Sequence, residues 1–111
     1  MLPKTMRFML FRQQWRLHFV SRRAMYDRKN KEQLDGVCAV PAHPGHVLTK
    51  EQRTVHARDD LDDEDLMETI VHEMGHAAFP DRSEEYIDQF ARDVTRLLGR
   101  LGYKRGDHGC S

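Results

Sequence analysis

The sequence predicts an α+β fold: a small twisted sheet with a polar edge strand, packed on one long helix and followed by a C-terminal helix. Two observations predict it. Apolar residues alternate with polar ones only in the first half of the chain, whereas in the second half they recur every three to four residues. Strands followed by helices, rather than interleaved with them, is the order of an α+β domain. With 111 residues there is room for one core, so the whole of 1–111 is read as a single domain.

The elements follow in order. Trp15, Leu17 and Phe19 alternate with Arg16, His18 and Val20, which predicts a strand over 15–21 whose aromatic face enters the core. Residues 26–35 are polar and read as a connection. A short apolar run over 36–40 reads as a second strand, stopped by Pro41 and the Pro44-Gly45 turn. Residues 53–57 are polar but β-compatible and read as an edge strand, its charges protecting the edge from aggregation. Asp62 or Asp63 is placed to cap a helix, and the acids after them suit its positive N-terminal end. Leu66, Ile70, Met74 and Ala77 carry the helical period up to Pro80, so a helix is expected from Asp63 to Ala78. Asp81 or Ser83 then caps a second helix. Its apolar stripe runs from Ile87 through Phe90, Ala91, Val94, Leu97 and Leu98 to Leu101, with Gly102 as the stop.

Composition excludes several classes. Formal net charge is zero, so total charge names no partner. Its distribution is uneven: residues 1–31 hold nine Lys and Arg against one acid, Asp27, and residues 59–68 hold seven acids and no base. A basic N-terminal third can contact nucleic acid, or be a solvated face that balances the acidic stretch. Two cysteines, Cys38 and Cys110, with no CxxC, are too few for a disulfide framework or a cysteine zinc site, and both read as reduced thiols. The N-terminal apolar stretch is broken by Lys4, Arg7 and Arg12, which argues against a signal peptide. No run has transmembrane length. A cytoplasmic monomer without membrane attachment is the expectation.

The chemistry is concentrated in His72-Glu73-Met74-Gly75-His76. On a helix, residues four apart share a face, so His72 and His76 can both aim a ring nitrogen at one ion. Glu73 is rotated by one residue and is placed to act as general base on a water at that ion rather than to ligate it. A catalytic zinc needs a third protein ligand and an open position. Phe79 and Arg82 stand where a metzincin has Gly and His, which leaves Glu84, Glu85, Asp81 and the distant His108. Glu84 is favoured, because it shares the face of Ile87, Ala91 and Val94 that should pack on the metal helix. Asp88, one turn on, could orient a ligating histidine through its second ring nitrogen.

His72–His76 followed by Glu84-x-x-x-Asp88 resembles the gluzincin pattern of zinc metallopeptidases. The short link and the Phe90-Ala91 pair are similar to minimal gluzincins and ImmA/IrrE-like metallopeptidases, and the stretch from Gly36 to Tyr103 resembles small phage-encoded and SprT-like proteins. SprT-like proteins use a third histidine, of which Asp107-His108-Gly109 is the only echo here. The resemblance implies a minimal zincin fold, a zinc ion on His72, His76 and Glu84, and hydrolysis of a peptide or protein substrate. In zincins the substrate lies extended along the edge strand, which would be near 53–57. The rival expectation is a regulatory or structural zinc protein recruited to DNA through its basic N-terminal third. His18, His43 and His46 read as surface residues, and so does His56, with a place facing the cleft as its alternative; Tyr86 and Tyr103 could supply a hydroxyl to a tetrahedral intermediate, with packing favoured for Tyr86 and Tyr103 left open, and the sequence names no oxyanion donor.

Overall fold

The computed structural model describes residues 3–103. It contains a four-stranded mixed sheet, a two-stranded ribbon and two helices, an α+β architecture. Strand β1 (Thr5–Leu10) turns directly into β2 (Gln13–Val20) as an antiparallel hairpin, with Phe8 opposite Trp15 and Arg7 opposite Arg16. The turn residues Phe11 and Arg12 both sit at positive φ, 50° and 64°. Two-residue hairpin turns of the primed type require this, but ordinarily use Asn or Gly. The sequence reading missed β1 for that reason, since no turn signal separates it from β2. The polar connection at 26–35 contains a short ribbon, β3 (Tyr26–Asp27) with β4 (Glu32–Gln33).

β5 (Gly36–Cys38) and β6 (Thr54–Arg58) complete the sheet in the order β1-β2-β6-β5. This corrects the expected edge strand at 53–57. β6 lies inside the sheet, parallel to β2 and antiparallel to β5, and the edge beside the helices is β5. Val55 and Ala57 are fully enclosed because both flanks of β6 are paired and its inner face is covered. A strand with polar residues on one face looks like an edge in one dimension; its position is decided by the long-range partner.

The inner sheet face carries Trp15, Leu17, Phe19, Val55 and Ala57, and α1 (Asp63–Ala78) closes over it through Leu66. Burying side chains of this size contributes about 1.5–3 kcal/mol each, which makes this cluster the main apolar contribution to the fold. Asp62 caps α1 by accepting from the Asp65 N–H at 2.8 Å. Helix α2 (Glu84–Arg100) begins at Ser83, whose hydroxyl accepts from the Tyr86 N–H at 3.1 Å. It ends at Gly102 with φ 87°, where the Tyr103 N–H reaches the Leu98 carbonyl. α2 packs on α1 through Ile87, Ala91 and Thr95, so its buried stripe is narrower than the sequence suggested: Phe90, Leu97 and Leu101 are exposed. Tyr86 is also exposed, lying under the Arg82 guanidinium at 5.1 Å rather than in the core. Among the described residues no helix is long and apolar enough to cross a membrane.

Candidate metal centre and cleft

His72 and His76 stand one turn apart on α1, with ring centroids 4.9 Å apart and Nε2 atoms 3.2 Å apart. Glu84, the first residue of α2, approaches from across the helix pair. Its Oε1 lies 2.8 Å from His72 Nε2 and its Oε2 2.8 Å from His76 Nε2. The approach depends on Gly75. A Cβ there would stand 3.0 Å from Ile87 Cγ2, so a side chain inside the HExxH turn would press α2 outward. Ser83 fixes where α2 starts, and hence which residue of the acidic pair faces the histidines.

The three side chains form a group that could hold a metal ion. The donor chemistry fits one. Two imidazole nitrogens and a carboxylate converge with more lone pairs than protons to share, and this surplus favours a cation. The separation of the two nitrogens is close to the roughly 3.3 Å edge of a tetrahedron built on zinc–nitrogen bonds of about 2.05 Å. Glu85 and Asp81 are exposed and outside the group. His108 and Cys110 lie outside the described residues. Asp88 faces the same cleft but pairs with Arg92 at 2.9 Å, and no hydrogen bond joins it to either histidine.

Glu73 is 7 % exposed, with its carboxylate 4.0 Å from His72 Nδ1. Burial pushes its pKa up to about 7, the His72 ring opposes the shift and Glu84 adds to it. Gly36 of β5 lies against it. A Cβ at Gly36 would meet Thr69 Cγ2 at 2.7 Å and Glu73 Cγ at 2.9 Å. The edge strand can therefore lie this close to α1 only because position 36 has no side chain. Sequence reasoning placed Gly36 at a strand start and missed this role; a glycine opening an apolar strand is the one available signal.

A cleft runs between β5 and the two helices, lined by Gln33 to Cys38, Val40 and Pro41 on one side and by Thr69, His72, Glu73, His76 and Glu84 on the other. Among the described residues β5 is paired on one side only, with β6, and its other side borders this cleft. Cys38 also lines it. Burial, aided by Glu73, pushes its thiol up to about 12, so it stays protonated at neutral pH. His56 does not face the cleft. It lies on the opposite sheet face beside His18, at 5.0 Å between ring centroids, where burial and then His18 lower its pKa. Neither Tyr86 nor Tyr103 lines the cleft.

Fold and site together define a class: a small α+β protein with a metal-capable His-His-Glu group and a buried carboxyl at the floor of an open-edged cleft. Compared with known family models, curated proteins and solved structures, the chain matches none.

Proposed function

We propose that the protein is a zinc-dependent metallopeptidase, with His72, His76 and Glu84 as zinc ligands and Glu73 as general base. The observation that carries this reading is the convergence of both histidine Nε2 atoms on the Glu84 carboxylate at 2.8 Å, with Glu73 buried one residue from the first ligand. Two neutral donors and one anion make a His₂Glu set, which suits a catalytic zinc with one position left open. Bound there, zinc would supply Lewis acidity to water and to a peptide carbonyl.

The chain's own residues supply the rest. Glu73 accepts a proton from the attacking water and delivers it to the leaving amine. Its carboxylate, buried beside His72, is within one residue of the ligating turn, as a base acting on a water at the ion must be. Gly36, without a side chain, lets β5 approach the base and the histidines together. The free side of β5 is placed to pair with an extended peptide through main-chain hydrogen bonds, which hold a backbone with little demand on its side chains. Substrate alignment thus falls to Gly36–Cys38 and not to 53–57.

Metal analysis and peptide-library digestion test the reading together. One zinc per chain is expected, nearly abolished in His72→Ala and in His76→Ala. Glu73→Gln should keep the metal and lose hydrolysis, because an amide cannot accept the proton. Zinc bound normally in either histidine variant would remove the site. A zinc-loaded protein that cleaves no member of a broad library would leave a structural or regulatory zinc protein.

A further inference from the structure

The sheet ends on β1, at the edge away from the metal-capable cleft. β1 pairs with β2 without a break from Thr5 to Leu10 and contains no proline. The Phe19 N–H donates to the Lys4 carbonyl at 2.9 Å. Hydrogen-bonded pairs alternate along an antiparallel ladder, so Met6, Phe8 and Leu10 turn their main-chain groups toward β2. Thr5, Arg7 and Met9 turn theirs to the open side, where among the described residues no strand pairs with them. Native edges are ordinarily kept short, bulged, or broken by proline and charge. Within β1 the single charge is Arg7. The inner face of this strand is open as well. Register sets Met6 and Phe8 opposite Leu17 and Trp15, on the core side, yet Met6 is 47 % exposed. α1 packs closest to β6 and β5 and leaves a groove toward β1. Met6, Phe8 and Leu17 line it from the sheet, and Met67, Ile70 and Met74 from the helix. A free main-chain edge and an apolar groove therefore adjoin at the same strand.

We infer that β1 pairs with β1 of a second copy, antiparallel about a two-fold axis, so that one sheet runs through both chains. This replaces the monomer expected from the sequence. The occupant follows from the residues of the strand itself. A two-fold axis perpendicular to the sheet keeps both core faces on one side, so inward residues oppose inward ones. Centred on Arg7, the pair would set two guanidinium groups directly against each other, which works against a sheet. Centring on Met6 or Met9 shortens the seam. Centred on Phe8, the pair sets Phe8 against its counterpart, Met6 against Leu10, and Arg7 against Met9. Every inward contact across that seam is apolar, and no cation meets a cation within the strands. Arg7 and Met9 exchange the main-chain bonds that β2 leaves unused. Met6, Phe8 and Leu10 of the second copy extend the apolar floor of the groove. A self-complementary strand of this kind gives a closed, isologous pair. β5 lies at the opposite edge, so each chain keeps its cleft open, and the inference stands apart from the metal reading.

Sedimentation equilibrium of the full chain between about 1 and 200 µM tests this, since a seam of one strand per chain is at the small end of specific interfaces. A reversible shift from the 13.1 kDa chain mass to twice that mass is expected. Arg7→Pro removes an N–H that points to the open side, so it should leave β2 paired and the circular dichroism unchanged while the protein stays monomeric. Met9 is 63 % exposed, and changes there spare the core. Met9→Arg puts a cation opposite Arg7 twice by symmetry and should weaken the dimer about tenfold. Met9→Glu puts a carboxylate there and should hold the dimer at least as tightly as the parent. Four results would overturn the inference: single-chain mass throughout, a folded Arg7→Pro that associates as the parent does, equal weakening in Met9→Arg and Met9→Glu, or a mass that grows past two chains.

Discussion

Glu73 carries an energetic penalty that follows from its place. Covered by β5 and flanked by Thr69 and His72, its carboxyl is pushed from the ordinary 4.5 up to about 7, chiefly by burial. The folded protein therefore holds a proton across this window that the unfolded chain has released. Stability from this group is fully present below about 4.5 and is lost as pH rises through about 7. Glu73→Gln, neutral at every pH, should leave the metal-free protein's stability nearly unchanged at pH 4. At pH 8 it should raise stability by about 1–3 kcal/mol. Urea unfolding of the two metal-free proteins at both pH values measures this, and parallel pH dependences would mean that burial does not act on this carboxyl.

Among the elements, β5 is the one whose position the site depends on most closely. It is three residues long, and its first residue touches α1 where a side chain would collide with Thr69 and Glu73. The 2.7 Å separation from Thr69 Cγ2 is shorter than any relaxed carbon contact, and the His56 carbonyl at 3.1 Å blocks retreat toward β6. Gly36→Ala should therefore destabilise by about 1–3 kcal/mol, the usual cost of overpacking. Thr69→Ser removes the methyl that the new Cβ meets, so the double variant should be less destabilised than the sum of the single changes. Chemical denaturation of the four proteins gives the coupling, and strict additivity would show that the strand sits clear of the helix. Gly75 plays the same part between the helices, where Ile87 packs against the HExxH turn and brings Glu84 to the histidines.

At the scale of the whole molecule Glu84, in contact with His72 and His76, joins α2 to α1 at the end where α2 begins. The rest of that interface is narrow, with Ile87, Ala91 and Thr95 as its buried residues. A ligand that binds only the folded form stabilises it by about 2.7 kcal/mol at 100 times its dissociation constant. In a domain of this size that corresponds to a rise in Tm on the order of 10 °C. Calorimetry with and without zinc should show such a rise in the parent and in Glu85→Ala, and lose most of it in Glu84→Ala. If Glu84→Ala keeps the full shift while Glu85→Ala or Asp81→Ala loses it, the carboxylate seen beside the histidines is not the one that binds.

The local parts of this protein were legible in its sequence. Helix spans, caps narrowed to Asp62 or Asp63 and to Asp81 or Ser83, the Gly102 stop and the shared face of His72 and His76 all depend on neighbours within about one helical turn, where spacing and geometry are the same thing. Glu84 could be favoured over Glu85 because the apolar stripe of α2 sets which side turns inward. Position in the sheet was different. β1 was hidden because Phe11 and Arg12 make a turn without the residues that usually mark one. β6 looked like an edge because its polar face is real, yet its place between β2 and β5 depends on pairing Arg16 with Thr54 and Val37 with His56. Such partners are chosen by the free energy of closing the whole core, which no local period records. That choice made β5 the border of the cleft, gave Gly36 its contact with the base, and left β1 as the sheet's other edge.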